Sequence, residues 1–500
     1  LRQELGAGSG IVTTDIKAVR TCFKQGIGLA MSGLDPQDWT SMRALAHRMM
    51  DDVFDRAEQV GSGPVWQPMP QTIRDAFKRE LPRQGRAAEI LYGEFLEQIR
   101  PYSNGNIHPG FMGWVQGAGT PVGILAELLA ASLNDNCGGR DHAAIEVERQ
   151  VIRWAAEMVG MPEEASGCLV TGSSLANFIS IVTASRAVDP SLRHQGVSGR
   201  KLVGYAAETA HGCVSRAFDL AGLGSDALRL IAVDELYRMD ETVLAERIRE
   251  DRKAGYHPFI IIGTAGSVDC GAVDPLEALA DIAQREKCWF HVDGAFGAFA
   301  RLSPEHAIML DGIDRADSLA LDFHKWGQVP YDAGCVLVRD RAAHAQAFSQ
   351  SLSYLTRADR GLAGNAPWPC DFGPDLSRGF RALKVWMTLA HYGTDRLGEM
   401  VATCCDVARY LAERVENDAR YLLMAPVALN IVCFTLVDLD DDAVDELVKD
   451  LHESGIAAPS TTRIEGRLVI RAAIVNHRTT RRTIDAMLDQ IALLAEKHGS

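Results

Sequence analysis

No apolar run in this chain reaches the roughly 18 residues that a membrane span requires, so a membrane protein of helical type is not expected. Paired cysteines are missing too. The eleven cysteines are scattered without a C-x-x-C pair, and Cys404-Cys405 is the only close couple. That argues against a zinc site or a disulfide framework and for reduced, buried thiols. Residues 1–34 lack the compact apolar core of a secretion signal, so a cytoplasmic location is the expectation. Positive charge is in deficit: 51 Lys and Arg stand against 66 Asp and Glu, a net charge of -15 with a pI near 5.4. Such a balance argues against nucleic acid or an anionic membrane as partner, although an anionic cofactor needs only a locally favourable pocket. Internal repeats and low-complexity tracts are lacking as well.

What is present is a soluble globular composition, 47% hydrophobic and 23% charged over 500 residues, enough for two or three domains. The spacing predicts a helical amino-terminal segment over residues 1–105. One helix begins at Asp35-Pro36 and carries Met42, Leu45, Met49 and Val53 at helical intervals. Others are expected over Gln71–Leu81 and Arg86–Ile99, with proline-rich joints between. Residues 106–385 alternate short apolar runs with helical stretches. The runs are Leu202–Tyr205, Leu228–Val233, Phe259–Gly263, Cys288–Val292, Ser318–Phe323 and Cys335–Val338. Alternation of this kind predicts an α/β domain with a mainly parallel sheet covered on both faces. Residues 386–500 read as a small α+β domain, with helices over 396–416, 441–453 and 482–497 and strands over 429–437 and 467–474.

Two of the apolar runs end in residues with chemistry. Ser318–Phe323 leads into His324-Lys325-Trp326, and Cys288-Trp-Phe-His291-Val ends in Asp293. In open α/β sheets ligands bind beyond the carboxyl ends of strands, where His291, Asp293, His324 and Lys325 are expected. Either charge alone reads as an ordinary strand-end residue. Together they are what pyridoxal phosphate needs: an amine to join the cofactor aldehyde, and a carboxylate to keep the pyridine nitrogen protonated. A third element is Cys168-Leu-Val-Thr171-Gly172-Ser173-Ser174, a strand that turns at glycine into a helix reaching about Ala187. Its small residues would leave backbone N–H groups and hydroxyls free for a phosphate. A serine nucleophile competes for this stretch, because Gly172-Ser-Ser174-Leu-Ala176 nearly matches G-x-S-x-G. Its last glycine is replaced, however, and no Asp-then-His pair follows in order. His211 follows the strand ending near Ala206 and would either cap a helix or stack on a pyridine ring. His291 and Asp293 find no third ligand at metal spacing, so no metal is expected.

These residues sit inside a longer series of motifs. It runs through Asn106-Ile-His-Pro-Gly-Phe-Met-Gly-Trp114, Thr264-Ala-Gly-Ser, Gly271-Ala-Val-Asp274-Pro, His291-Val-Asp293-Gly-Ala295 and His324-Lys325-Trp326. Val329-Pro-Tyr-Asp-Ala-Gly334 and Phe380-Arg-Ala-Leu-Lys384-Val-Trp386 complete it. From about Leu34 onward the chain resembles the group II pyridoxal-phosphate-dependent decarboxylases, the aromatic-L-amino-acid and glutamate decarboxylase group, of fold type I. The resemblance implies that Lys325 is the Schiff-base lysine and Asp293 the partner of the pyridine nitrogen. His211 and Ala295 would cover the two ring faces, and Ser173, Ser174 and His324 would hold the phosphate. Trp114 and Val115 would line the substrate side-chain pocket, and Arg471 would lie near the substrate carboxylate. It further implies a homodimer, for which the apolar segment Pro121–Gly139 would suit a buried interface.

The implied activity is decarboxylation of an aromatic or other L-amino acid, with Lys325, His211 and Asp293 as catalytic residues. One departure bears on it. Members that decarboxylate cleanly carry a loop tyrosine that returns a proton after CO2 departs. Counting back from Arg378-Gly-Phe380, that position falls at Trp368 or Pro369. Either Tyr354, His211 or a water takes the part, or the outcome is an aldehyde or a retro-aldol fragment. The stretch 353–375, with Gly361, Gly364, Pro367 and Pro369, is expected to bury little and to act as a lid.

Overall fold

In the computed structural model, residues 33–350 and 357–498 are described. Tyr354, and the amino-terminal residues from which a cytoplasmic location was read, lie outside them, apart from Gly33 and Leu34. The chain divides into two compact units at Asp55/Arg56. In the first, the Asp38 carboxylate accepts from the Thr40 and Ser41 N–H groups and starts the helix Trp39–Glu58. Its expected apolar stripe is largely exposed. Leu45 is buried, whereas Met42, Met49 and Val53 face outward.

Everything else belongs to the second unit. Its strands are β1 (Phe111–Met112), β2 (Ser166–Val170), β3 (Leu202–Ala207), β4 (Leu228–Ile231), β5 (His257–Thr264), β6 (Trp289–Asp293), β7 (Ser318–Asp322), β8 (Gly334–Val338), β9 (Tyr421–Leu423), β10 (Ile431–Leu436), β11 (Ala458–Ile464) and β12 (Arg467–Ala473). Seven of them form the large sheet, in the order β2-β8-β7-β6-β5-β3-β4. Only β8 runs against its neighbours. The pairs β7/β6, β6/β5, β5/β3 and β3/β4 are parallel, so the expected mainly parallel sheet is found. Residues of β3, β7 and β8 are buried throughout, as required when helices cover both faces. Because β2, β3, β5, β6 and β7 point the same way, Val170, Ala207, Thr264, Asp293 and Asp322 all end at one edge.

The helix after β2, Ser173–Val188, starts where the sequence placed it, with Gly172 ahead of it. Glycine at Gly334 is enforced by that turn. A Cβ there would stand 2.4 Å from the Gly172 Cα, so β8 and the β2 turn meet backbone to backbone.

The smaller sheet has the order β1-β11-β12-β10-β9, antiparallel except where β1 lies alongside β11. Strands β10 and β12 match the sequence expectation. Strand β11 does not appear in it, because Ser460, Thr461 and Thr462 break the apolar pattern. The helix expected from residue 396 is the second part of a longer one, Ala382–Glu416, which breaks at Gly393 with φ 74°. Amino-terminal helices are shorter than the spacing predicted. Gln71–Ala76 ends early, and Ala88–Glu94 passes into a wider π turn at Phe95–Ile99. Among the described residues no helix is long and apolar enough to cross a membrane.

Candidate active site

A cavity of about 350 Å³ opens at the carboxyl edge of the large sheet. It is lined by Trp114, Val115, Ser173, Ser174, His211, Asp293, Ala295, His324 and Lys325, together with Thr264, Val268, Phe296, Asp322 and Tyr331. Among the described residues, every catalytic, cofactor and substrate residue proposed from sequence therefore meets here except Arg471. A larger groove of about 750 Å³ around Asp274 and Pro426 holds no lysine, serine or histidine and lies apart from these residues.

The turn after β7 presents the amine. Lys325 Nζ lies 3.0 Å from Asp322 Oδ2. Burial works to lower the lysine pKa, but the Asp322 and Asp293 carboxylates outweigh it and the net shift is upward. The turn is fixed from outside by Gly117, whose N–H donates to the His324 carbonyl; a Cβ at Gly117 would stand 2.3 Å from the Lys325 oxygen. His324 Nδ1 accepts from the Ala333 N–H, which leaves Nε2 as the donor facing Asp322 and the cavity. Burial holds the His324 pKa down.

Asp293, at the end of β6, is 4% exposed and oriented by a one-way chain of donors. Trp289 Nε1 donates to Ser318 Oγ at 2.8 Å, and that hydroxyl lies 2.8 Å from His291 Nδ1. His291 Nε2 lies 2.8 Å from Asn177 Oδ1, and Asn177 Nδ2 donates to Asp293 Oδ2 at 2.9 Å. Since the amide must turn its NH2 to the carboxylate, its oxygen faces His291, which therefore carries its proton on Nε2 and accepts at Nδ1. Burial pushes the His291 pKa down to about 4, so the ring is a neutral link with both nitrogens engaged.

At the start of the helix Ser173–Val188, the Ser173 hydroxyl is buried without a partner, and so is the Thr264 hydroxyl on the cavity wall. Buried orphan donors beside a helix N-terminus, with Lys325 and Asp293 across the cavity, fit a phosphorylated pyridine aldehyde. His211 makes the capping contact foreseen for it, with Nδ1 accepting from the Cys213 N–H, while its ring still lines the cavity. No histidine hydrogen-bonds to Ser174 among the described residues, so the serine-hydrolase arrangement is not formed.

Arg471 lies behind the wall. It is 3% exposed and donates to the Val268 and Asp269 carbonyls and to Ser460, while Nη2 has no partner. The cavity meets Val268, not the guanidinium itself. Asn177 and Asp322 are the residues the sequence reading passed over, although Asp322 stands in the run Ser318–Phe323 and Asn177 in the helix expected after Gly172.

The expected lid requires correction over residues 357–375. Trp368 is 1% exposed and donates to the Gly364 carbonyl; its ring lies under the guanidinium groups of Arg140 and Arg357. Arg149 donates to the Asn365 and Pro367 carbonyls, Arg357 pairs with the buried Asp371, and Phe372 is buried as well. Proline and glycine content reads as openness in the sequence, but this segment is anchored by one tryptophan and three arginines.

Residues 70–437 match the pyridoxal-dependent decarboxylase conserved domain. An aromatic-L-amino-acid decarboxylase of Bacillus atrophaeus is 32% identical over 91% of this chain and 96% of its own length. A phenylacetaldehyde synthase of Arabidopsis thaliana is 28% identical over 88% and 93%. The crystal structure of Oryza sativa TDC with PLP and tryptamine superposes with a TM-score of 0.86, at 26% identity, over 94% of this chain and 100% of that one. The chain belongs to the pyridoxal-dependent decarboxylase family.

Proposed function

We propose that this protein removes the α-carboxylate of an aromatic L-amino acid, with pyridoxal phosphate attached at Lys325. The observation that carries the reading is the meeting of Lys325 and Asp293, from neighbouring parallel strands, in a cavity that also holds the orphaned Ser173 hydroxyl. Once bound, the cofactor supplies an electron sink for the bonding pair that CO2 leaves behind. The chain supplies the rest. Asp293 keeps a proton on the pyridine nitrogen, Ser173, Ser174 and His324 hold the phosphate, and His211 and Ala295 cover the ring faces. Trp114, Val115, Val268 and Phe296 offer an apolar wall to an aromatic side chain. Arg471, whose buried Nη2 has no partner behind Val268, is the cation proposed for the substrate carboxylate.

Borohydride reduction tests this reading: it should fix cofactor to Lys325 alone, and Lys325→Ala should abolish fixation while the protein stays folded. An adduct on any other lysine would overturn the assignment. An aldehyde-forming outcome is the second reading. It is favoured by the buried Trp368-Pro369 at the position of the loop tyrosine, and by the aldehyde synthase among the relatives.

A homodimer belongs to the same proposal. Leu125, Leu128, Leu129 and Leu133 make an exposed stripe along the helix Pro121–Leu133, and a second copy of the chain would cover it. A cytoplasmic location is in keeping with ten free cysteines among the described residues, all but Cys370 buried.

A further inference from the structure

Asp322 ends β7 with its carboxylate turned into the anion cradle. Oδ1 accepts the Ser173 N–H at 2.7 Å, while Oδ2 lies 3.0 Å from Lys325 Nζ and 3.6 Å from His324 Nε2. The residue is 2% exposed, and the Ser173 hydroxyl beside it is buried without a partner. A phosphate held by Ser173, Ser174 and His324 therefore stands against a carboxylate. Two anions in contact, screened from water, oppose each other strongly. Lys325 supplies one positive charge against the carboxylate and a dianion together, so it offsets only part of the negative charge.

We propose that Asp322 takes up one proton from solvent when the cofactor phosphate is bound, donates a hydrogen bond to a phosphate oxygen, and so makes cofactor retention pH-dependent. The inference rests on the assignment of Ser173, Ser174 and His324 to the phosphate. The other groups facing Asp322 are Lys325 and His324 from its own turn, Tyr331 from the loop before β8, Cys335 on β8 and Asp293 on β6. From the helix Ser173–Val188 it meets the Ser173 N–H. Tyr331 and Cys335 are pushed up by burial and keep their protons, and Lys325 is raised and keeps its charge. His324 is the one competitor for the effect, and it is common to every variant used below.

The sign follows from linkage. A group whose pKa rises on binding gives full affinity below its free-site pKa, and affinity falls as pH climbs toward the loaded-site pKa, by up to about tenfold per unit. The test is calorimetric titration of the cofactor-free full chain with sulfate, a dianion throughout pH 5.5–8.5, in two buffers of different ionisation enthalpy. The wild type should take up nearly one proton more per sulfate than Asp322→Asn. The variant should bind sulfate at least tenfold more tightly at pH 8, with only the His324 slope left. Asp322→Ser should follow the Asn variant, and thermal unfolding without sulfate checks that each is folded. Equal proton uptake and equal slopes in wild type and variants would overturn the proposal. Sulfate that fails to compete with cofactor in any of the proteins would sink the phosphate assignment itself, and the role of Asp322 with it.

Discussion

Asn177 Nδ2 donates to Asp293 Oδ2 at 2.9 Å, and the same amide accepts from His291 at 2.8 Å. One helix residue thereby fixes the direction of the carboxylate that is proposed to face the pyridine nitrogen. Asp293→Ala should cost on the order of 10²-fold or more in turnover, because it removes charge that acts in the transition state. Asn177→Ala leaves Asp293 in place but unsteadied and should cost about tenfold. Steady-state kinetics with saturating cofactor decides between them; wild-type turnover in Asn177→Ala would show that the donor chain does not matter.

Buried neutral histidines set an acid limit on stability. His291 is held down to about 4 and His344, beside Ser166, to about 3, both by burial. Each folded pKa lies below its unfolded value near 6.5, so the unfolded chain binds more protons as pH falls. The stability each contributes is complete above pH 6.5 and drains away as pH drops toward 4, by about 3 kcal/mol per group. Denaturation midpoints measured from pH 7.5 to 4.5 should fall steeply. His344→Gln, remote from the cavity, should flatten that fall; an unchanged slope would remove His344 from the cause.

Much of this was readable in the chain. Strand-end positions of Asp293, His324 and Lys325 follow from apolar runs with abrupt polar ends, and the phosphate turn follows from Gly172-Ser173-Ser174. Asn177 was hidden for a physical reason. It sits one turn into a helix, and only the crossing of that helix over β6 makes it a neighbour of Asp293. Asp322 closes an apolar strand and reads as its polar end until Ser173 is seen to bond to it. Strand β11 was lost because Ser460 and Thr462 face polar partners, Arg471 and Asp269, where alternation with apolar residues would have revealed it.

The Arg378-Gly-Phe380 motif holds strand β2, ahead of the turn at Gly172, by a buried ion pair. Both Arg378 and Glu148 are nearly inaccessible. The guanidinium donates to Glu148 and to the carbonyls of Cys137 and Leu169, while Glu148 also accepts the Leu169 N–H. Removing one partner strands the other charge. Glu148→Ala should therefore destabilise by about 3–5 kcal/mol, and Arg378→Met combined with it should recover part of the loss. A double-mutant cycle in urea reads this directly, and additive single effects would refute the coupling.

On the proposed aldehyde-forming reading, proton return to the substrate carbon is the step that the Trp368-Pro369 pair bears on. Trp368 cannot swing in, because its ring is packed against Gly139, where a Cβ would stand 2.6 Å away, and lies under two arginines. Pro369 is buried and has no acidic group. His211 is an exposed cavity residue with a transferable proton, since Nδ1 is engaged by Cys213 and Nε2 is left to donate; Tyr331, also exposed on the cavity, holds its phenol proton more firmly because burial pushes its pKa up. A slower proton return leaves time for oxygen to react, giving aldehyde, ammonia and peroxide beside CO2. Turnover in air should consume oxygen, and the aldehyde share should fall when oxygen is removed. His211→Phe should lower amine formation by about 10²-fold, the usual reach of one acid–base group, and raise the aldehyde share further. Amine as the sole product in air, with no oxygen taken up, would mean that proton return is fast. An unchanged amine rate in His211→Phe would then assign that proton to another residue.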